Sequence, residues 1–168
     1  MFALRSPAFD HEAAIPTRHT CDGEDLSPEL RWSDPPAGTR SFVVVVDDPD
    51  APDPAAPRRT WVHWVRYNIP AGRDHLPEGA GNPPVRGEGS GGERDALNDS
   101  NEPGWSGPCP PIGRHRYFFR LFAVDRLIAD LGSRARRVDV ENAMEGHVLG
   151  TAVLMGTYAM RGRREARA

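Results

Sequence analysis

The sequence predicts a mainly β protein: an antiparallel Greek-key β-sandwich with one short helix late in the chain. Glycine and proline number 17 each among 168 residues, a content typical of short strands joined by many turns. Apolar runs with strand character recur along the chain, and one late segment has helical periodicity. A chain of this length suits one domain with a sizeable core, so we expect a single domain over residues 1–168.

The strand candidates lie between loops rich in proline and glycine. Residues 41–46 form a β-branched run without alternation, which predicts a strand buried on both faces. Residues 61–68 alternate, and the alternation assigns side chains to two faces: Val62, Trp64 and Arg66 on one, and Trp61, His63, Val65 and Tyr67 on the other. Residues 30–32, 116–124 and 151–160 complete the predicted strands.

The helix is predicted at about residues 139–149, with Asp139 as its N-cap. Its apolar face would comprise Val140, Ala143, Met144, His147 and Val148. Several strands, long turns and one late helix together favour the antiparallel sandwich.

Composition excludes some kinds of function. The formal net charge is −3, which gives no reason to expect nucleic acid as a partner. All 21 basic residues are arginine, so Schiff-base, pyridoxal-phosphate and P-loop lysine chemistry are excluded. No apolar stretch approaches the length of a membrane span, so we expect a cytoplasmic protein without a transmembrane segment.

The two cysteines, Cys21 and Cys109, lie in turn-rich loops that could be neighbours in space. They lack the spacing of a metal site, and two cysteines are too few for a disulfide scaffold. For a cytoplasmic protein we therefore expect free thiols.

Two stretches carry most of the functional information, residues 47–52 and residues 107–117. Each joins a proline-rich loop to a predicted strand, and a histidine lies near each junction, His63 and His115. Proline makes such loops rigid, and the strands anchor them. Histidine, carboxylate and aromatic groups that converge in this way predict a pocket for a small polar ligand.

Two alternatives involve metal or catalysis. Asp47, Asp48 and Asp50 are crowded carboxylates that could attract a hard cation, and one aspartate with His63 and His115 would make a two-histidine-one-carboxylate site. The prolines among the aspartates and the undiagnostic histidine spacing argue against both, so we predict no metal and no cofactor. Cys109 could act as a thiol nucleophile with His115, but the G-x-S-x-G nucleophile elbow of the α/β-hydrolases is absent from the sequence. A hydrolase dependent on histidine and aspartate, with or without a metal, is the second hypothesis, and we expect no catalytic residue.

A family resemblance rests on several motifs taken together. Asp48-Pro49-Asp50-Ala51-Pro52, His63-Trp64, Gly107-Pro108 and His115-Arg116-Tyr117 resemble the phosphatidylethanolamine-binding protein family. Thr20-Cys21-Asp22-Gly23 and Gly146-His147-Val148-Leu149 resemble its bacterial, Raf kinase inhibitor-like branch. The resemblance covers about residues 15–160, and residues 99–106 depart from the usual approach to the second loop.

The resemblance implies a β-sandwich with a small anion pocket and no catalysis. The ligand would be phosphate or a phospholipid-headgroup-like group, and His63 and His115 would donate hydrogen bonds to it. It also allows regulation of a protein kinase or another protein partner, and a homodimer. Asp50 would brace the first loop, and the Ala51–Pro52 bond would be cis. The ligand-binding residues that it implies are Asp48, Ala51, Pro52, Trp61, His63, Gly107, Pro108, His115 and Tyr117.

Overall fold

Eight strands and one eight-residue helix organise the chain in the computed structural model, which describes residues 1–87 and 89–161. The elements are β1 (Ala3–Arg5), a 3-10 turn (Thr17–His19), β2 (Leu30–Ser33), β3 (Ser41–Ala51), β4 (Arg59–Pro70), β5 (His75–Leu76), β6 (Arg94–Asp95), β7 (Arg114–Val124), α1 (Arg137–Met144) and β8 (Val148–Ala159). None of the helices in the described residues is long and apolar enough to cross a membrane.

The strands form two antiparallel sheets. The large sheet has the order β6-β4-β3-β7-β8, and the small sheet has the order β1-β2-β5. Side chains between the two sheets form a sandwich core that includes Val44, Val46 and Phe119. The opposite face of the large sheet packs under α1 in a helix core that includes Val43 and Val45. The predicted antiparallel β-sandwich is confirmed, as is a central strand buried on both faces.

The helix ends earlier than the sequence pattern predicts. It spans Arg137–Met144, not residues 139–149. Asp139 is its third residue rather than its N-cap, and the Asp139 Oδ2 accepts a hydrogen bond from the Arg136 N–H at 2.9 Å. Gly146 adopts a φ of 80°, which stops the helix in the left-handed conformation that glycine tolerates best. His147 and Val148 therefore lie beyond the helix, and β8 begins at Val148.

A β-bulge in β4 overturns part of the predicted alternation. Val46 of β3 lies opposite Trp64, whereas its neighbour Asp47 lies opposite Val62, so His63 is an extra residue between them. Trp64 consequently packs in the sandwich core and Val62 in the helix core, instead of sharing a face. Bulges redirect side chains in this way and often lie beside functional sites.

A disulfide contradicts the expectation of free thiols. Cys21 and Cys109 are bridged, with their Cα atoms 5.4 Å apart. The reason is the packing of residues 20–26 against residues 105–109: the Cys21 N–H donates to the Pro108 carbonyl at 3.1 Å, and the Trp105 Nε1–H donates to Asp25 Oδ1 at 3.2 Å. These contacts bring the two cysteines within the range that a disulfide requires.

Candidate functional site

A cavity of about 300 Å³ lies where the two motif loops meet the ends of β3, β4 and β7. Eight of the nine predicted ligand-binding residues lie on its wall: Asp48, Ala51, Pro52, Trp61, His63, Gly107, His115 and Tyr117. Pro108 is not on the wall, because its carbonyl faces the 20–26 loop and accepts from Cys21. The sequence prediction missed five lining residues: Ser100, Ser106, Cys109, Pro110 and Pro111. Their position inside the second motif could have indicated the last three, whereas nothing in the sequence marks the two serines.

Asp48 and His115 form a buried pair that joins β3 to β7. The Asp48 Oδ2 lies 2.5 Å from His115 Nδ1, and the other ring nitrogen, Nε2, lies 2.9 Å from the Ile112 carbonyl oxygen. Both partners of the ring are acceptors, so both ring nitrogens donate and the ring is an imidazolium. Burial alone would lower the pKa of His115, but the hydrogen bond and charge of Asp48 outweigh it and raise that pKa above its usual value. His115 therefore has no N–H left for a ligand, contrary to the expectation that both histidines donate.

The other two aspartates of the first motif have separate partners. Asp50 accepts three hydrogen bonds from Arg116, from the backbone N–H at 2.9 Å, from Nε at 3.0 Å and from Nη2 at 2.9 Å, so it braces the loop. The Arg116 hydrogen bonds also hold the pKa of Asp50 below its usual value. The peptide bond between Ala51 and Pro52 that follows is cis.

Asp47 points to the opposite face of the sheet. Its carboxylate pairs with Arg120 Nε at 3.0 Å and with Arg137 Nη1 at 2.7 Å. The three neighbouring carboxylates thus face three different partners. In residues 1–87 and 89–161 no group of three or more histidine, cysteine or acidic side chains is arranged to hold a metal ion.

His63 presents an unpartnered nitrogen. Its Nδ1 lies 2.5 Å from the Ser106 carbonyl oxygen, whereas its Nε2 is buried and has no hydrogen-bond partner among the described residues. Burial is the largest influence on this ring and lowers the pKa of His63, although the Ser106 carbonyl and the charge of Asp48 act in the other direction. A neutral ring that donates through Nδ1 carries a lone pair on Nε2.

Tyr117 presents a second unpartnered polar atom. Its side chain is 0% exposed, and its hydroxyl has no partner in the part of the chain that the structure describes. The Tyr117 ring lies edge-on to His63, with ring centroids 5.3 Å apart, and stacks on His115 at 6.3 Å. Burial raises the pKa of Tyr117, so the hydroxyl keeps its proton. Buried polar atoms are normally paired, and two unpaired ones on one cavity wall indicate a place for a polar ligand group.

The rest of the wall is mostly apolar. Ala51, Pro52, Pro110 and Pro111 line it, and Trp61 contributes an indole that is covered by the Arg59 guanidinium at 4.6 Å from the ring centroid. Ser100 and Ser106 add hydroxyls that lie 3.1 Å from each other. A ligand with a small polar head and a short apolar extension suits such a wall.

Comparison with known proteins identifies the family. A family model described as phosphatidylethanolamine-binding protein matches residues 5–159. The chain belongs to the phosphatidylethanolamine-binding protein family. The resemblance seen in the paired motifs is thereby confirmed.

Members of the phosphatidylethanolamine-binding protein family from bacteria and archaea resemble the chain over nearly its whole length. The UPF0098 protein of Methanothermobacter thermautotrophicus is 46% identical over 155 residues, which cover 92% of this chain and 97% of that protein. A phosphatidylethanolamine-binding protein homologue from Chlamydia trachomatis has a solved structure that is 36% identical, with a TM-score of 0.81 and coverage of 95% of this chain and 98% of that one. YbcL of Escherichia coli, described as a new member of the mammalian family, is 31% identical, with a TM-score of 0.81 and coverage of 95% and 99%.

Proposed function

We propose that this protein binds a small anionic ligand of the phosphate or phosphomonoester class in the cavity, and that it does so without catalysis. The observation that carries the proposal is the pair of unpartnered buried atoms, His63 Nε2 and the Tyr117 hydroxyl, on one cavity wall. Phosphoryl oxygens bind to such groups through hydrogen bonds, which are stronger when one partner is charged. The apolar part of the wall suits the carbon chain of a headgroup such as phosphoethanolamine.

Asp48 has a structural part in this proposal. A bare carboxylate beside an anion would repel it. Here the charge of Asp48 is matched by the His115 imidazolium at 2.5 Å, so the pair presents little net charge to the ligand. Asp48 and His115 therefore shape the cavity, and His63 and Tyr117 make the hydrogen bonds.

The engagement of His115 excludes it as a general base, so a hydrolase would have to use His63, whose Nε2 has no partner among the described residues. A general base needs a free ring nitrogen within reach of the substrate or of a water molecule. Both nitrogens of His115 are occupied by Asp48 and by the Ile112 carbonyl. Regulation of a kinase or of another protein partner stays a prediction of the family resemblance.

Titration calorimetry with phosphoethanolamine tests the proposal. We expect Tyr117→Phe and His63→Phe each to weaken binding by about 1.5–3 kcal/mol, the usual worth of a hydrogen bond to a charged group. His147→Phe is the matched control, because His147 pairs with Asp125 at 2.7 Å and does not line the cavity. Equal affinity in the wild type and both cavity variants would place the site elsewhere. Turnover of phosphate or carboxylate esters that disappears in His63→Phe would favour the hydrolase instead.

A further inference from the structure

The hydrogen-bonding state of His63 restricts which anions can bind more than the charge of the anion does. The Ser106 carbonyl can only accept, so the proton of the neutral ring lies on Nδ1 at 2.5 Å from that oxygen. Nε2, which is buried and has no partner among the described residues, is then an acceptor on a side chain that lines the cavity. It becomes a donor only if the ring takes up a second proton.

The surroundings of His63 do not favour that second proton. The carboxylates whose charges act on it come from two segments, and each is already paired. On β3, Asp48 pairs with His115 of β7, and Asp47 pairs with Arg120 and Arg137 across the sheet. On the 99–106 segment, Asp99 lies 3.3 Å from Arg59 Nη2 and accepts the Val62 N–H at 2.8 Å. The side chain is buried, with a relative exposure of 5% for the residue, so hydration of the imidazolium is lost as well.

His115 makes the contrast clear, although both histidines lie on the same cavity wall. His115 hydrogen-bonds a carboxylate directly, whereas His63 hydrogen-bonds a neutral carbonyl. Carboxylate contact stabilises an imidazolium much more than carbonyl contact does. The fixed cation of the site is thus His115, whose two ring nitrogens are both engaged by protein acceptors, and the ring with a free nitrogen among the described residues, His63, is neutral.

Tyr117 completes a donor–acceptor pair. Its hydroxyl can donate to a ligand oxygen while Nε2 of His63 accepts from the ligand. The monoanion of a phosphomonoester or phosphonate carries one P–OH donor beside its acceptor oxygens. A sulfonate of the same shape and charge carries acceptors only, so one of its oxygens would face the Nε2 lone pair.

We propose that His63 selects an oxyanion that brings its own proton, so that the site takes the monoanion of a phosphomonoester or phosphonate and discriminates against sulfonates and sulfate. This inference rests on the proposed function of the cavity as an anion site. In the complex the ligand P–OH donates to His63 Nε2, and the Tyr117 hydroxyl donates to a second phosphoryl oxygen. No bond other than these hydrogen bonds forms, and the proton stays on the ligand oxygen.

Methylphosphonate and methanesulfonate test the proposal, because near pH ~6 both are predominantly monoanions of similar shape and only the phosphonate carries an exchangeable proton. We expect methylphosphonate to bind about 10- to 150-fold more tightly, the ratio that a hydrogen bond to a charged group contributes. Titration in buffers of different ionisation enthalpy should show roughly no proton uptake with the phosphonate and about one proton with any sulfonate that binds. This proton count needs no variant and so does not depend on a substituted protein folding.

Two variants test the preference for phosphonate over sulfonate separately from anion binding at the site. Tyr117→Phe removes the donor, so both anions should weaken by a similar factor and their ratio should persist. His63→Phe removes the acceptor, so the ratio should fall to about one. Equal wild-type affinities that both fall in Tyr117→Phe would overturn the selectivity while the anion site stands. Failure of both anions to bind the wild type would overturn the proposed function together with this inference.

Discussion

Removal of the disulfide should destabilise the protein strongly. The bridge joins residues that are 88 apart in sequence, so it closes a long loop in the unfolded chain. For a loop of about 88 residues the chain-entropy estimate is about 15 cal/mol/K, or roughly 4.6 kcal/mol at about 25 °C. That is a large share of the roughly 5–15 kcal/mol by which domains are normally stable. Hydrogen bonds between the bridged loops, such as that from Cys21 N–H to the Pro108 carbonyl at 3.1 Å, do not depend on the bridge.

The measurement is urea unfolding of the oxidised wild type, the reduced wild type and the double variant Cys21→Ser, Cys109→Ser. The reduced protein and the double variant should agree with each other and unfold at a much lower urea concentration than the oxidised protein. Reductant should leave the double variant unchanged, which serves as the control. Coincident midpoints for the oxidised and reduced wild type would refute the entropic argument. Alkylation of both cysteines in native, unreduced protein would refute the bridge itself.

The disulfide also holds part of the cavity wall in place, because Cys109 lies on that wall with Gly107 and Pro110. Reduction removes the covalent link and leaves only hydrogen bonds between this part of the wall and the 20–26 loop, so ligand affinity should fall along with stability. Persistent disulfides are typical of oxidising compartments. The cytoplasmic location therefore stays a prediction, and the redox state of this pair in native cells tests it.

Two further predictions concern buried charges. Asp95→Ala should cost about 3–5 kcal/mol in urea unfolding, because it removes the nearer of two carboxylates that pair with Arg66, Asp95 at 2.8 Å and Glu93 at 3.3 Å, and Arg66 is only 2% exposed. Asp130→Ala, at a pair whose carboxylate is exposed, should cost under about 1 kcal/mol. A similar cost for both variants would contradict this. Asp48→Asn should lower the pKa of His115, as followed by NMR titration of its ring. Because the pKa of His115 is higher in the folded than in the unfolded protein, its protonation stabilises the fold at pH values below the unfolded pKa of about 6.5, and this stabilisation is lost as the pH rises through the folded pKa. Asp48→Asn should therefore lower the free energy of unfolding mainly at acidic pH. An unchanged pH profile would show that Asp48 does not set the charge of His115.

The parts of the fold that follow from local chemistry were predictable from the sequence. The run of valines in β3 predicts a strand that is covered on both faces, and the structure covers one face with the small sheet and the other with α1. Proline-rich loops at strand ends also indicated where a cavity forms. The early end of α1 could have been read at Gly146, since glycine after a helical segment commonly stops it.

Features that depend on strand pairing could not be read from single residues. The extra residue in β4 arises from its register against β3, and a period-of-two pattern carries no sign of it. The disulfide likewise depends on two loops meeting in space across a separation of 88 residues. Ser100 and Ser106 reach the cavity wall through the same long-range packing, with no local motif to mark them.

The pairing of charges is what would allow the proposed anion to enter a cavity beside three aspartates. Asp47 turns to Arg120 and Arg137 on the far face, Asp50 is bound by Arg116, and Asp48 is matched by His115. Each negative charge is compensated within the protein, and each cation used for this purpose is unavailable to the ligand. The bulge then places His63 on the same wall, and among the described residues its ring nitrogens have one hydrogen-bond partner, the Ser106 carbonyl. With the fixed charges balanced, we expect the hydrogen-bond pattern of the ligand, and above all the proton that it carries, to decide which anions bind at this site.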